Sequence, residues 1–246
     1  MKILVPISKA PDTTSKIAFT DGDSKFNEEG IQWIVNPYDE WYALVRALEL
    51  TETSGGSVTV INVGDATSDP VIRKALALGA NEAVRVDVNP TDSYVIAKEI
   101  AAYAADKGFD LVLLGKETIS YNGSEVGGML AEFMNLPFIS LASKLEVTGG
   151  TATLDRTTEG GTEVVEVKMP FVASAAKGMA EQRIPNMRGI MAARTKPLTV
   201  VAASGAAAKT AYVKYGLPAP KSAVKLVDPE NMDELVRLLH EEAKSI

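Results

Sequence analysis

The sequence predicts an α/β protein with a doubly wound, mostly parallel sheet, a β extension and a C-terminal arm. Three observations carry this. Short apolar runs without polar alternation recur at Ile3 to Ile7, Val58 to Val63, Ala83 to Val88 and Leu111 to Leu114, as in strands buried on both faces. Helix-spaced apolar residues alternate with those runs. From Ser143 onward the pattern changes to short strands separated by glycine pairs.

The elements follow in order. The opening MKILVPI reads as a first strand with no secretory leader. Asn36-Pro37-Tyr38-Asp39-Glu40 forms a turn, since a proline presses the residue before it toward extended backbone. Two readings of this turn stand. Asn36 can offer its amide to a base or ribose edge, or the segment is an Asx-Pro turn in which Asp39 caps the next helix. Trp41, Leu44, Val45 and Leu48 make that helix amphipathic; Ile72, Ala75 and Leu76 repeat the theme before Gly79, and Ile96, Ile100 and Tyr103 before Gly108.

Asp110 to Met134 is the most informative stretch: the strand run Leu111 to Leu114, a glycine exit at Gly115, a polar loop, and Val126, Met129, Leu130 and Phe133 at helical spacing. Such a junction points backbone N–H groups and the positive end of a helix dipole into the crevice above the strands, which suits a phosphate. The loop contains Gly115, Gly123, Gly127 and Gly128 with the polar residues Ser120, Asn122, Ser124 and Glu125. It is neither a phosphate-binding P-loop, because Glu117 follows Lys116, nor a GxGxxG turn. It is either a plain glycine-rich connection or a site that binds a phosphate without transferring it.

Beyond the loop, Leu145 to Val147, Thr151 to Arg156 and Val164 to Lys168 predict an antiparallel meander turning at Gly149-Gly150 and Gly160-Gly161. Ala180 to Leu198 mixes Arg183, Arg188, Arg194 and Lys196 with Ile184, Met187, Ile190 and Met191, while Pro185 and Gly189 discourage a regular helix. Flexible methionines among cations suit a docking surface for an acidic partner; core packing of Met187 and Met191 is the other reading. Leu198 to Val201 is the expected last strand. Ala202 to Pro229 lacks periodicity and is expected either to be disordered or to lie along a partner, ending in a helix of Met232, Leu235, Val236 and Leu239. The division expected is a domain of residues 1–201 and an arm and helix of residues 202–246.

Composition narrows the chemistry. The net charge of -7 argues against a nucleic-acid partner. No cysteine is present and His240 is the single histidine, which excludes thiolate chemistry, a histidine triad and a multi-histidine metal site. No apolar run approaches the ~18 residues of a membrane span. A cytoplasmic protein without catalytic residues of its own is expected.

Taken in this order, the MKILVPI start with Lys9 and Asp12, the NPYDE turn, RKALALGA at Arg73 to Ala80, DLVLLGK at Asp110 to Lys116, VKMP at Val167 to Pro170 and the 180–198 segment resemble the β subunit of electron-transfer flavoproteins over essentially the whole chain. The resemblance implies a fold of the adenine-nucleotide-binding type and a heterodimer. It further implies that an α subunit holds most of a redox-active FAD and that this chain buries a structural AMP. Carried onto this sequence, the AMP contacts are Pro6, Asn36, Pro37, Tyr38, Asp39, Asn62, Asn122, Gly123, Ser124, Glu125, Val126 and Gly127. The 180–198 segment matches the family's recognition loop for flavin dehydrogenases such as the acyl-CoA dehydrogenases of fatty acid oxidation, with Arg183, Ile184, Met187, Arg188, Ile190 and Met191 as docking residues. Electrons would pass on to a membrane quinone reductase, and the arm would embrace the α subunit. Ser120, Tyr121 and Asn122 depart from the acidic residues usual in that loop, and EQRI replaces a pattern closer to EPRY. Two alternatives stand beside this: a bifurcating β subunit with FAD in place of AMP, and a stand-alone sensor of ATP or AMP.

Overall fold

The computed structural model describes residues 1–119, 121–221 and 223–246. The first strand, β1 (Lys2–Pro6), is followed by an excursion with four short strands, β2 (Lys9–Pro11), β3 (Phe19–Thr20), β4 (Lys25–Phe26) and β5 (Trp33–Val35). These pair as two small antiparallel ribbons, β2 with β5 and β3 with β4, which the sequence pattern did not announce. Regular alternation then sets in: α1 (Asp39–Ser54), β6 (Ser57–Val63), α2 (Asp69–Leu78), β7 (Glu82–Asp87), α3 (Ser93–Ala104), β8 (Leu111–Gly115) and α4 (Val126–Met134).

The expected meander is present as β9 (Phe138–Thr148), β10 (Thr151–Thr158) and β11 (Gly161–Lys168), all antiparallel. Its turns use left-handed backbone at Gly149, Gly150 and Gly160, which glycine adopts without steric cost. A further strand, β12 (Phe171–Ala175), enters between β8 and β9 and is buried throughout. Its small residues, Ala173, Ser174 and Ala175, gave no apolar signal. The hydroxyl of Ser174 is satisfied by accepting from Leu141 N at 3.0 Å. Next come α5 (Met187–Ala193), β13 (Leu198–Ala202) and α6 (Met232–Arg237), the last extended by a π-helical turn to Glu242.

Among the described residues the main sheet has nine strands in the order β11-β10-β9-β12-β8-β1-β6-β7-β13, parallel from β9 through β13. The chain runs outward from β1 through β6 to β7, then crosses back to place β8 on the other side of β1. The order therefore reverses between β1 and β8, where a doubly wound sheet opens its ligand crevice. Side chains alternate across the sheet. Ile3, Val5, Leu111 and Leu113 pack with α1 and α2 on one face; Leu4, Val112 and Leu114 pack with α3 and α4 on the other.

The arm is not free at its base: its first part is tied to the body. Buried Glu99 on α3 accepts from Ser204 N at 2.6 Å, Ser204 Oγ at 2.9 Å and Ala206 N at 3.1 Å, and Asp92 accepts from Lys209 N at 2.6 Å and Thr210 N at 2.9 Å. Beyond Tyr215 the segment carries exposed Leu217, Val224 and Leu226. Asn231 caps α6, accepting from Glu234 N at 3.3 Å.

Candidate functional site

The ends of β1, β6 and β8 converge on the predicted crevice, and two asparagines lock them together. Asn36 is fully buried and donates Nδ2 to Glu117 O at 2.8 Å, joining the turn before α1 to the segment after β8. Asn62, at the end of β6, donates Nδ2 to Ile7 O at 2.9 Å. Each side chain then has one acceptor left over. Asn36 Oδ1, Asn62 Oδ1 and the hydroxyl of Ser68 are buried and without a hydrogen-bond partner among the described residues. Such an acceptor costs about 1–3 kcal/mol when unsatisfied. A Cβ on Gly64 would lie 2.7 Å from both Asn62 Oδ1 and Ser68 Oγ, so these two atoms converge beside the glycine. Ser68 was not singled out in the sequence, where it looks like an ordinary helix-start serine.

Gly115 does more than permit a turn. A Cβ there would stand 2.7 Å from Glu40 N, so its absence lets β8 end directly against the first turn of α1. That approach buries Glu40, whose carboxyl accepts from Ser8 N at 2.8 Å and Ser8 Oγ at 2.7 Å. Burial pushes its pKa up to about 8, against the lowering effect of the two Ser8 hydrogen bonds. Asp39 beside it is pushed up to about 6, mainly by burial and in opposition to Lys116. Asp39 does not cap α1, contrary to the capping reading. The cap position falls on Tyr38, which makes no side-chain cap bond, and Asp39 is already the first helical residue. Pro6 is buried at the end of β1, Pro37 is half-buried, and Tyr38 stands exposed.

The loop leading to α4 divides in two. Asn122, in left-handed backbone, Ser124 and Glu125 are exposed, with Gly123 and Val126 half-buried. Gly127 is committed to packing: a Cβ would sit 2.8 Å from the Phe138 ring, so the helix closes tightly on β9. What Gly127 can offer a guest is its backbone, at a helix start where the first N–H groups lack intrahelical partners. Ser120 lies outside the described residues.

The cationic segment also departs from expectation, since Pro185 and Gly189 do not prevent a helix. Asn186 caps α5 by accepting from Gly189 N at 2.8 Å. Gly189 is there for contact, because a Cβ would overlap the carbonyl oxygen of Ala77 at the end of α2. The two helices also cap each other. Arg73 on α2 donates to Ala193 O at 2.8 Å and Lys196 O at 2.7 Å, while Lys196 Nζ donates to Leu76 O at 3.0 Å and Ala80 O at 2.6 Å. Burial lowers the pKa of Lys196. Trp41 Nε1 donates to Arg183 O at 3.1 Å, and the Arg183 guanidinium pairs with both carboxylate oxygens of Glu52.

On this base Ile184 is 82% exposed, Met187 73% and Met191 55%, with Ile190 and Arg188 also exposed. The core reading of Met187 and Met191 is therefore excluded. Arg183 is engaged within the chain.

Residues 23–206 match the family model described as "Electron transfer flavoprotein domain". The chain is 35% identical to "Electron transfer flavoprotein subunit beta" of Bacillus subtilis, with all of both chains covered. The chain belongs to the electron transfer flavoprotein β-subunit family. The proteins of the same name from Syntrophomonas wolfei and Bradyrhizobium diazoefficiens are 35% and 32% identical, covering 93% and 99% of this chain and 90% and 99% of theirs. Among the described residues no cluster of His, Cys, Asp and Glu can hold a metal, and no helix is long and apolar enough to cross a membrane.

Proposed function

We propose that this chain is the β half of a heterodimeric electron carrier, holding a structural AMP in the crevice and completing the site of an FAD held mostly by an α subunit. The observation that carries the nucleotide reading is the set of buried acceptors left without partners among the described residues, Asn62 Oδ1 and Ser68 Oγ beyond β6 and Asn36 Oδ1 beside the segment after β8. A guest bearing N–H and O–H donors on a base and ribose would satisfy them, and the start of α4 with the Asn122 to Val126 backbone suits its phosphate. These features support AMP as the guest. Binding only the folded state, AMP would add stability without chemistry of its own. The flavin, when bound, supplies the one-electron chemistry. This chain's residues bind, orient and dock. Purifying the chain with its α partner should yield flavin absorbance and release AMP on denaturation; the absence of both would sink the proposal.

Docking is assigned to Ile184, Met187, Arg188, Ile190 and Met191, held on α5 and the segment before it, which would meet flavin dehydrogenases, with a membrane quinone reductase as electron acceptor. A pre-organised backbone under these side chains removes the loop-ordering part of the cost of binding. Met187→Ala should lower dehydrogenase-driven reduction of the complex by roughly ten-fold, the scale of an interface hot spot, with flavin content unchanged. Unaltered transfer kinetics would remove Met187 from the docking surface.

A further inference from the structure

Four aromatic rings join the arm to the crevice loop. Tyr121, at the start of the Asn122 to Val126 stretch, stacks on Tyr212 with centroids 5.9 Å apart and planes 18° apart. Tyr212 stacks on Tyr215 at 5.4 Å, and Tyr215 on Phe19 of the β3–β4 ribbon at 5.0 Å. The stack is anchored at both ends. Tyr215 N donates to Asp23 O at 2.8 Å, and the arm just before Tyr212 is held by Asp92 through Lys209 N and Thr210 N.

Asp92 also caps α3, accepting from Val95 N at 2.9 Å, and the next residue, Ser93, faces the loop: its hydroxyl lies 3.9 Å from where a Cβ on Gly123 would be. One carboxylate thus fixes the arm and the helix start against which the loop rests. Its pKa is lowered because, although desolvation acts to raise it, the backbone donors Val95, Lys209 and Thr210 outweigh that effect. At neutral pH the tether is fully charged.

We propose that the arm base, residues 204–215, is a strap that positions the 121–127 loop and retains the nucleotide, with Tyr212 as the positioning residue. This rests on the nucleotide reading of the crevice. Glu99, Asp92 and Phe19 fix the strap at points outside the loop, so its contact with Tyr121 restrains the loop against the body. A guest held by that loop leaves only when the stack opens. Tyr212 touches no guest; it acts through Tyr121.

The test is the rate at which AMP leaves the purified complex, followed by separating bound from free nucleotide after a chase with excess labelled AMP. Tyr212→Ala should release AMP about ten-fold faster, the equivalent of about 1.4 kcal/mol, while Tyr212→Phe, which keeps the ring, should match the wild type. Equal release from Tyr212→Ala and wild type would overturn the strap and leave the nucleotide reading standing. A wild-type complex carrying no adenine nucleotide would overturn both. Faster release from Tyr212→Phe as well would assign the effect to the hydroxyl and overturn the stacking account.

Discussion

Gly189→Ala should lift α5 off its base. In an exposed helix this change would stabilise by roughly 1 kcal/mol through propensity. Here the new methyl would overlap the Ala77 carbonyl oxygen, a backbone atom at the end of α2 that cannot rotate away. Overpacking of this kind costs about 1–3 kcal/mol, and relief by tilting α5 breaks the paired caps made by Arg73 and Lys196. The expected result is a melting temperature lower by several degrees, at roughly 2–4 °C per kcal/mol for a chain of this size. Dehydrogenase-driven reduction should fall at least as far as in Met187→Ala, because all the exposed apolar groups on α5 shift together. Nucleotide content should hold, since the crevice is built from other elements. A calorimetric scan matching wild type would show that α5 does not need this close approach.

Stability should decline as pH rises toward 8, with Glu40 as the main cause. Its ordinary value is 4.5 and burial raises it to about 8 in the folded chain, despite the two Ser8 hydrogen bonds and with Asp39 adding to the rise. The folded state therefore binds a proton that the unfolded state has released between those pH values. This contribution is fully present below about pH 4.5 and is lost as pH climbs through about 8, a change on the order of 5 kcal/mol at most. Asp39, raised to about 6, acts in the same direction over a lower window. Carboxylates held down, such as Glu99 and Asp92, act oppositely and lose their contribution only in acid. Melting temperatures measured from pH 5 to 9 should fall up to about pH 8 and then level off in the wild type. Glu40→Gln, whose amide can accept from Ser8 N and donate to Ser8 Oγ, should flatten the upper part of that fall. A wild-type curve level from pH 5 to 9 would mean that Glu40 ionises freely.

Sequence and structure agree where burial is symmetric. The strands β1, β6, β7 and β8 are covered on both faces, so their apolar runs stood out, and the glycine pairs marked the meander turns. β12 escaped because Ala173, Ser174 and Ala175 fill a tight slot with small side chains, which look the same as loop composition. α5 escaped for a tertiary reason: Gly189 reads as a helix breaker until Ala77 is known to lie against it. At the crevice, Asn36 was legible in the turn before the helix, whereas Asn62 entered only through the family resemblance. Glu40 was not legible, since an acid in the first turn of a helix is ordinary until Gly115 brings β8 against it. Asp92 and Glu99 hold arm residues more than 100 positions away, and no local pattern encodes such a pairing.

The bonds that hold α5 and the segment before it run largely through main-chain atoms. Trp41 reaches the carbonyl of Arg183, Arg73 those of Ala193 and Lys196, and Asn186 the N–H of Gly189. Every residue type supplies those carbonyls, so the platform does not depend on which side chains stand at 184, 187, 190 and 191. Those four positions are free to diverge during evolution while the scaffold stays constant. If the proposed docking role holds, a lineage can acquire a new partner there by surface substitutions alone, with no compensating change in the core.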